Sequence, residues 1–181
     1  WGAGDFSGGL AARKKHPFQV LLITTISSGL LMIIFAWIRG EQVPLLGDIM
    51  LAFAAGVCGS LGLAALYRGL SLGDAAVVSP VAGVIGAVFP TLIGLLIEGL
   101  SGPRTLIGYG VSVLGIWLVT RNQEGNRQTG QQGLRLALGA GLGFGGFLVL
   151  IAQLEGEAIF LPLVFSKSAS LVVSIILIRS R

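Results

Sequence analysis

Long apolar stretches and short polar joints alternate along this chain. Residues 17–38, 49–67, 75–97, 105–120, 136–154 and 158–178 are nearly free of charge, and Lys167 is the one charged side chain inside any of them. A bilayer's hydrocarbon core is about 30 Å thick, and a helix crosses it in about twenty apolar residues. Each stretch is therefore expected to be a membrane-spanning helix. Residues 1–12 (WGAGDFSGGLAA) read as the second half of a further span, which makes seven in all. The fold class this predicts is all-α: a polytopic membrane protein built as a bundle of transmembrane helices.

The joints at 13–16, 39–48, 68–74, 98–104, 121–135 and 155–157 are short, so consecutive spans should be antiparallel neighbours. Their charges are uneven. The joints after odd-numbered spans carry Arg13, Lys14, Lys15, Arg68, Arg121, Arg127, Arg135, Arg179 and Arg181. Those after even-numbered spans carry only Arg39 and Arg104, beside Glu41, Asp48, Glu98, Glu155 and Glu157. Basic residues collect on the cytoplasmic side, which places the odd joints there.

Composition agrees with the spans. Mean hydropathy is +0.89 and only 11% of residues are charged, against about a quarter in soluble domains. Six wholly buried helices would leave a soluble protein almost no polar surface. The 29 glycines lie largely within the apolar stretches, where they let backbones approach one another. The pI of about 9.8 would suggest nucleic acid in a soluble protein; here topology accounts for the basic residues, and no nucleic-acid partner is expected. Cys58 is the single cysteine, which leaves no internal disulfide and no cysteine-based metal cluster. The chain is expected to be incomplete at both ends, since it opens without methionine on half a span and stops just past another.

The segment after the polar joint RNQEGNRQTGQQGLR (121–135) starts again like the beginning. WGAGDFSGGL at 1–10 resembles GAGLGFGGFL at 139–148, with Phe6 matching Phe144 and Gly8 matching Gly146. Further on, Ser28, Leu31 and Ile38-Arg39 match Ser168, Leu171 and Ile178-Arg179. A repeat with an odd number of spans must insert upside down relative to its copy. Inverted repeats are a transporter signature, with the substrate site at their interface and rocking motions giving alternating access.

Residues 65–119 resemble the second half of an EamA-type repeat, the unit of much of the drug/metabolite transporter superfamily. The matching features are Tyr67-Arg68-Gly69-Leu70 at the end of span three, the alanine-rich turn at Ala75-Ala76 and Ser79-Pro80 early in span four. Glu98 then closes span four, and Gly108 and Gly115 form a stripe in span five. Trp1-Gly2 resembles the Trp-Gly midway along the family's first span. The resemblance implies a ten-span carrier of two five-span repeats around a central cavity, with about 6.5 spans present here. Residues 1–120 would form the first repeat, 121–135 the linker and 136–181 the start of the second. Members of the family move amino acids, other metabolites, sugar derivatives or drugs. They are usually drawn with both termini in the cytoplasm, whereas the charges here favour the opposite.

Two ionisable residues stand out as substrate or coupling-ion candidates. Asp5 lies eight residues before Arg13, about 12 Å along a helix from the interface. Lys167 sits at the centre of its span, where insertion costs about 2.5–3.5 kcal/mol. Each is a candidate for binding substrate, and Asp5 also for carrying a coupling proton; each could equally be a structural charge neutralised by a neighbouring helix. Pro80 and Pro90 interrupt span four and are hinge candidates, although tolerated kinks are the commoner case. Ala52, Gly56, Ser60 and Ala64 recur every four residues, as do Ala82, Gly86, Pro90 and Gly94, and both series read as packing seams. Tyr67 and Arg68 read as interfacial anchors. Gly141-x-Gly143-x-x-Gly146 fits a dinucleotide fingerprint formally, yet no βαβ unit surrounds it.

The function this implies is a secondary transporter of small metabolites such as amino acids or drugs, in a bacterial plasma (inner) membrane. It should need no cofactor and no metal, its partners being a small-molecule substrate, the lipid bilayer and protons. The competing readings are a channel or structural membrane subunit and, with one loop histidine (His16) and one buried aspartate, a membrane-embedded enzyme.

Overall fold

In the bilayer core no water is available to satisfy backbone N–H and C=O groups, so each spanning segment must bond to itself as a helix. The computed structural model follows that demand. It describes residues 10–11, 17–72, 75–99, 102–104 and 127–179, together with 107, 108, 110, 111, 114, 115 and 118. Five long helices result: α1 (Pro17–Arg39), α2 (Leu46–Ser71), α3 (Ala75–Glu98), α4 (Arg127–Ile151) and α5 (Phe160–Arg179). All five are long and apolar enough to cross a membrane, and no strand occurs among the described residues. The described residues of the 105–120 stretch are helical too. The rest of that stretch, and residues 1–9, lie outside the described residues.

Helix α4 differs most from its apolar stretch. It begins at Arg127, well inside the joint expected to be a linker, because the arginine and glutamines there are good helix formers and no proline stops them. The helix ends at Ile151, and Ala152 and Gln153 turn the chain out of it.

Short joints do not make sequence neighbours the principal packing partners. Helix α4 is wedged between α2 and α3, which touch one another little, and α5 packs against both α1 and α2. A core of Leu66, Tyr67, Leu70, Val78, Val81, Ala82, Ala137 and Ala140 fills the α2–α3–α4 junction. Tyr67, expected as an interfacial anchor, is part of it.

These crossings are made by small residues. Ala52, Gly56, Ser60 and Ala64 are all buried on α2. A Cβ on Gly56 would collide with the Ser166 carbonyl oxygen of α5. At the α2–α4 crossing a Cβ on Gly143 would lie 2.6 Å from Gly62 Cα and 2.8 Å from the Cys58 carbonyl oxygen. About half a turn to either side, α4 presents Gly141 and Gly145 to Ile85 and Phe89 of α3. The glycine run that mimics a dinucleotide fingerprint thus lets one helix sit against two others.

Placing a methyl group where backbone already stands should separate α2 from α5. Gly56→Ala is expected to destabilise the protein by about 1–3 kcal/mol, the usual cost of overpacking. Gly94→Ala, with open space around it, should be neutral or slightly stabilising because alanine favours the helix. Thermal melts in detergent compare the two directly.

Candidate functional site

Two features organise the centre of the bundle and one of its ends. At the end, α1 terminates in a Schellman turn. Gly40 takes φ +63, Gly40 N–H donates to Trp37 O (3.1 Å) and Glu41 N–H to Ala36 O (3.1 Å). Only glycine adopts that backbone without penalty. The turn delivers the Glu41 carboxylate to the start of α5. There it accepts from Ile159 N–H (3.0 Å), Phe160 N–H (3.1 and 2.9 Å) and Leu161 N–H (2.9 Å). These amides would otherwise be orphan donors at the positive end of a helix. Phe35 stacks on Phe160 at 5.4 Å, and the Arg39 guanidinium lies 5.8 Å over the same ring. Beside this clasp the buried Asp48 accepts from Glu155 N–H at 3.5 Å. The joints 40–45 and 152–159 therefore share one face, and α1 and α5 run antiparallel, as do α2 and α4.

Partial burial pushes the Glu41 carboxyl up. The amide bonds from Ile159, Leu161 and Phe160, together with the Arg39 charge, outweigh it, and the pKa falls below the ordinary value.

At mid-bundle a cavity of about 510 Å³ lies between α2, α3, α4 and α5, within the range of small-molecule sites. Its wall is mostly apolar: Leu63 and Leu66 from α2, Ala82 and Ala87 from α3, Phe144, Phe147 and Leu148 from α4. Ser79, Ser166, Lys167 and Ser170 are its polar side chains. Ser166 Oγ donates to Leu163 O (2.9 Å), and Ser170 Oγ to Ser166 O (3.0 Å) and across the helix gap to Gly56 O (3.2 Å).

Of the residues singled out in the sequence, Lys167 is brought to the cavity, half-buried, with its Cβ facing Gly29 of α1. No ion pair to it occurs among the described residues. Asp5 lies outside the described residues. Helix α3 runs through Pro80 and Pro90 without interruption. Proline has no N–H to donate, so Pro90 removes the helical partner of the Gly86 carbonyl, and Gly86 lines the cavity. Pro80 removes that of Ala76 in the first turns. Glu41, Ser166, Ser170 and the two phenylalanines were not singled out. The available signals were glycine followed by acid at a helix end, and serine at 166, 170 and 174.

The family model of the EamA-like transporter family matches residues 1–121. The chain belongs to that family. EamA-like proteins are polytopic helical transporters of the drug/metabolite superfamily, so this is an integral multi-pass membrane protein of a transporter family, whose members are not enzymes. No curated protein and no solved structure matches the chain at a significant level.

A carboxylate with a lowered pKa stabilises the fold above the ordinary carboxylate range and loses that contribution as pH falls through its own pKa. Glu41→Gln should therefore lower the melting temperature at pH 7. The gap from wild type should hold down to about pH 5 and close only below about pH 4. Melting curves of both proteins across that range test it.

Proposed function

We propose that this protein is a secondary carrier that moves small metabolites across a bacterial plasma membrane by alternating access. The observation that carries the reading is the mid-bundle cavity, lined by helices from both sides of the polar joint, with Lys167 the one amine among its described lining residues. The antiparallel pairing of α1 with α5 supports an inverted relation between 1–39 and 139–179, because copies inserted upside down must meet head to tail. On this reading residues 1–120 form one repeat and 136–181 begin the next. Energy comes from an ion or substrate gradient, with protons the candidate coupling ion at Asp5. Pro90 acts as a hinge at the cavity wall, and Pro80 near the other end of α3. The clasp at Glu41 ties the end of α1 to the start of α5, so that the two helices move together.

Carrier function is tested by counterflow in proteoliposomes. Vesicles preloaded with unlabelled amino acids and monocarboxylates should show a transient overshoot of the same solutes supplied labelled outside. Gly83 lines the cavity with open space around it, so Gly83→Leu fills the cavity without meeting backbone. It should remove most of the overshoot while the melting temperature moves by a few degrees at most. Wild-type vesicles without any overshoot would sink the carrier reading.

The distribution of basic residues also supports putting the clasp face outside the cell. Glu157 is exposed on that face. In a Cys58→Ser background, Glu157→Cys should react with a membrane-impermeant maleimide in intact cells. Reaction only after lysis would reverse the orientation.

A further inference from the structure

We propose that the cavity binds a small amphipathic monoanion, with its carboxylate on the Lys167 ammonium and its apolar body against Phe144 and Phe147. As a statement of substrate class this rests on the carrier reading above.

The chemistry of the wall selects the ligand. Among the described residues Lys167 is the only charged one lining the cavity, and no carboxylate among them pairs with it. A half-buried ammonium in an apolar wall is stabilised by an anion that reaches it. The neighbouring hydroxyls do not compete for that role. Ser166 and Ser170 direct their protons to backbone carbonyls of Leu163, Ser166 and Gly56, so toward the cavity they offer lone pairs. Lys167 is then the charged donor that the described lining residues offer to an anion. Among the described residues one fixed cation balances one negative charge; a phosphate dianion would leave a charge that none of them compensates. A sugar fits no better, because its hydroxyls would be desolvated with few partners. The rest of the wall asks for an apolar group. Phe144 and Phe147 lie about one turn apart on α4, next to Leu148, and the volume of about 510 Å³ accommodates an aryl or branched alkyl body beside the carboxylate. Gly59 of α2 stands against the Phe147 ring, where a Cβ would come within 3.2 Å, and so fixes that ring in the wall.

The test uses the full chain purified in detergent and two probes of equal shape, 3-phenylpropanoate and its uncharged amide. The acid should raise the melting temperature in a saturable way, as a ligand that binds only the folded state must. The amide should have little effect. Lys167→Met should weaken binding of the acid by about thirtyfold or more, as loss of one partner of a buried charge pair does. Lys167→Arg should retain the preference for acid over amide. Equal protection by acid and amide in the wild-type protein would overturn the proposal, and so would undiminished acid binding by Lys167→Met. If that variant does not fold, the acid–amide comparison on wild type decides alone. Counterflow separates this inference from the carrier reading. Lys167-dependent binding of the acid without counterflow of any solute would uphold the site and sink the carrier. Counterflow of other solutes with no preference for the acid would sink the site and leave the carrier.

Discussion

Everything in this bundle depends on how closely backbones approach one another. Lipid tails are as apolar as leucine, so helices in a bilayer gain little from hiding apolar surface against each other. They associate through van der Waals contact and interhelical hydrogen bonds, which favour residues without bulk at the crossing. Gly56 against Ser166 and Gly143 against Gly62 are such crossings. The first sets α5 on α2 and lets the Ser170 hydroxyl reach the Gly56 carbonyl. The second sets α4 on α2. The cavity is what remains between helices pinned at these two points, and Gly56 lines it as well as making the contact.

Much of the architecture was legible because the bilayer imposes one length on every span. The apolar stretches at 17–38, 49–67, 75–97 and 158–178 match α1, α2, α3 and α5 within a few residues. The seam Ala52–Gly56–Ser60–Ala64 was legible for a related reason: small residues every four positions are the clearest packing signal in helices that are apolar on all sides. Which helix meets which was not legible. Nothing in the joint lengths foretold that α4 would insert between α2 and α3. The start of α4 was misplaced because its first turns are polar yet helix-forming, and hydropathy does not register helix propensity.

The site was legible in part. Lys167 announced itself as the one charge within an apolar stretch, and the cost of placing it there made it a candidate for binding substrate. Glu41 did not. In sequence it is an acid in a polar joint, indistinguishable from a solvated loop charge, and its partners lie 118 to 120 positions further along the chain. Ser166 and Ser170 were hidden because serine is common in membrane helices, where it bonds back to its own helix. The aromatic wall was hidden because a phenylalanine facing lipid and one facing a cavity look alike in one dimension.

The Schellman turn at Gly40 also has a mechanical meaning. Its two backbone bonds make Glu41 a rigid extension of α1, and the carboxylate grips three successive amides at the head of α5. The two helices are thereby coupled like a crank and its rod: a tilt of α1 displaces the first turn of α5 with little slack. Lys167 lies less than two turns of helix further along that rod, at about 1.5 Å per residue. A movement begun at the membrane surface would thus reach the amine in the cavity through stiff parts alone.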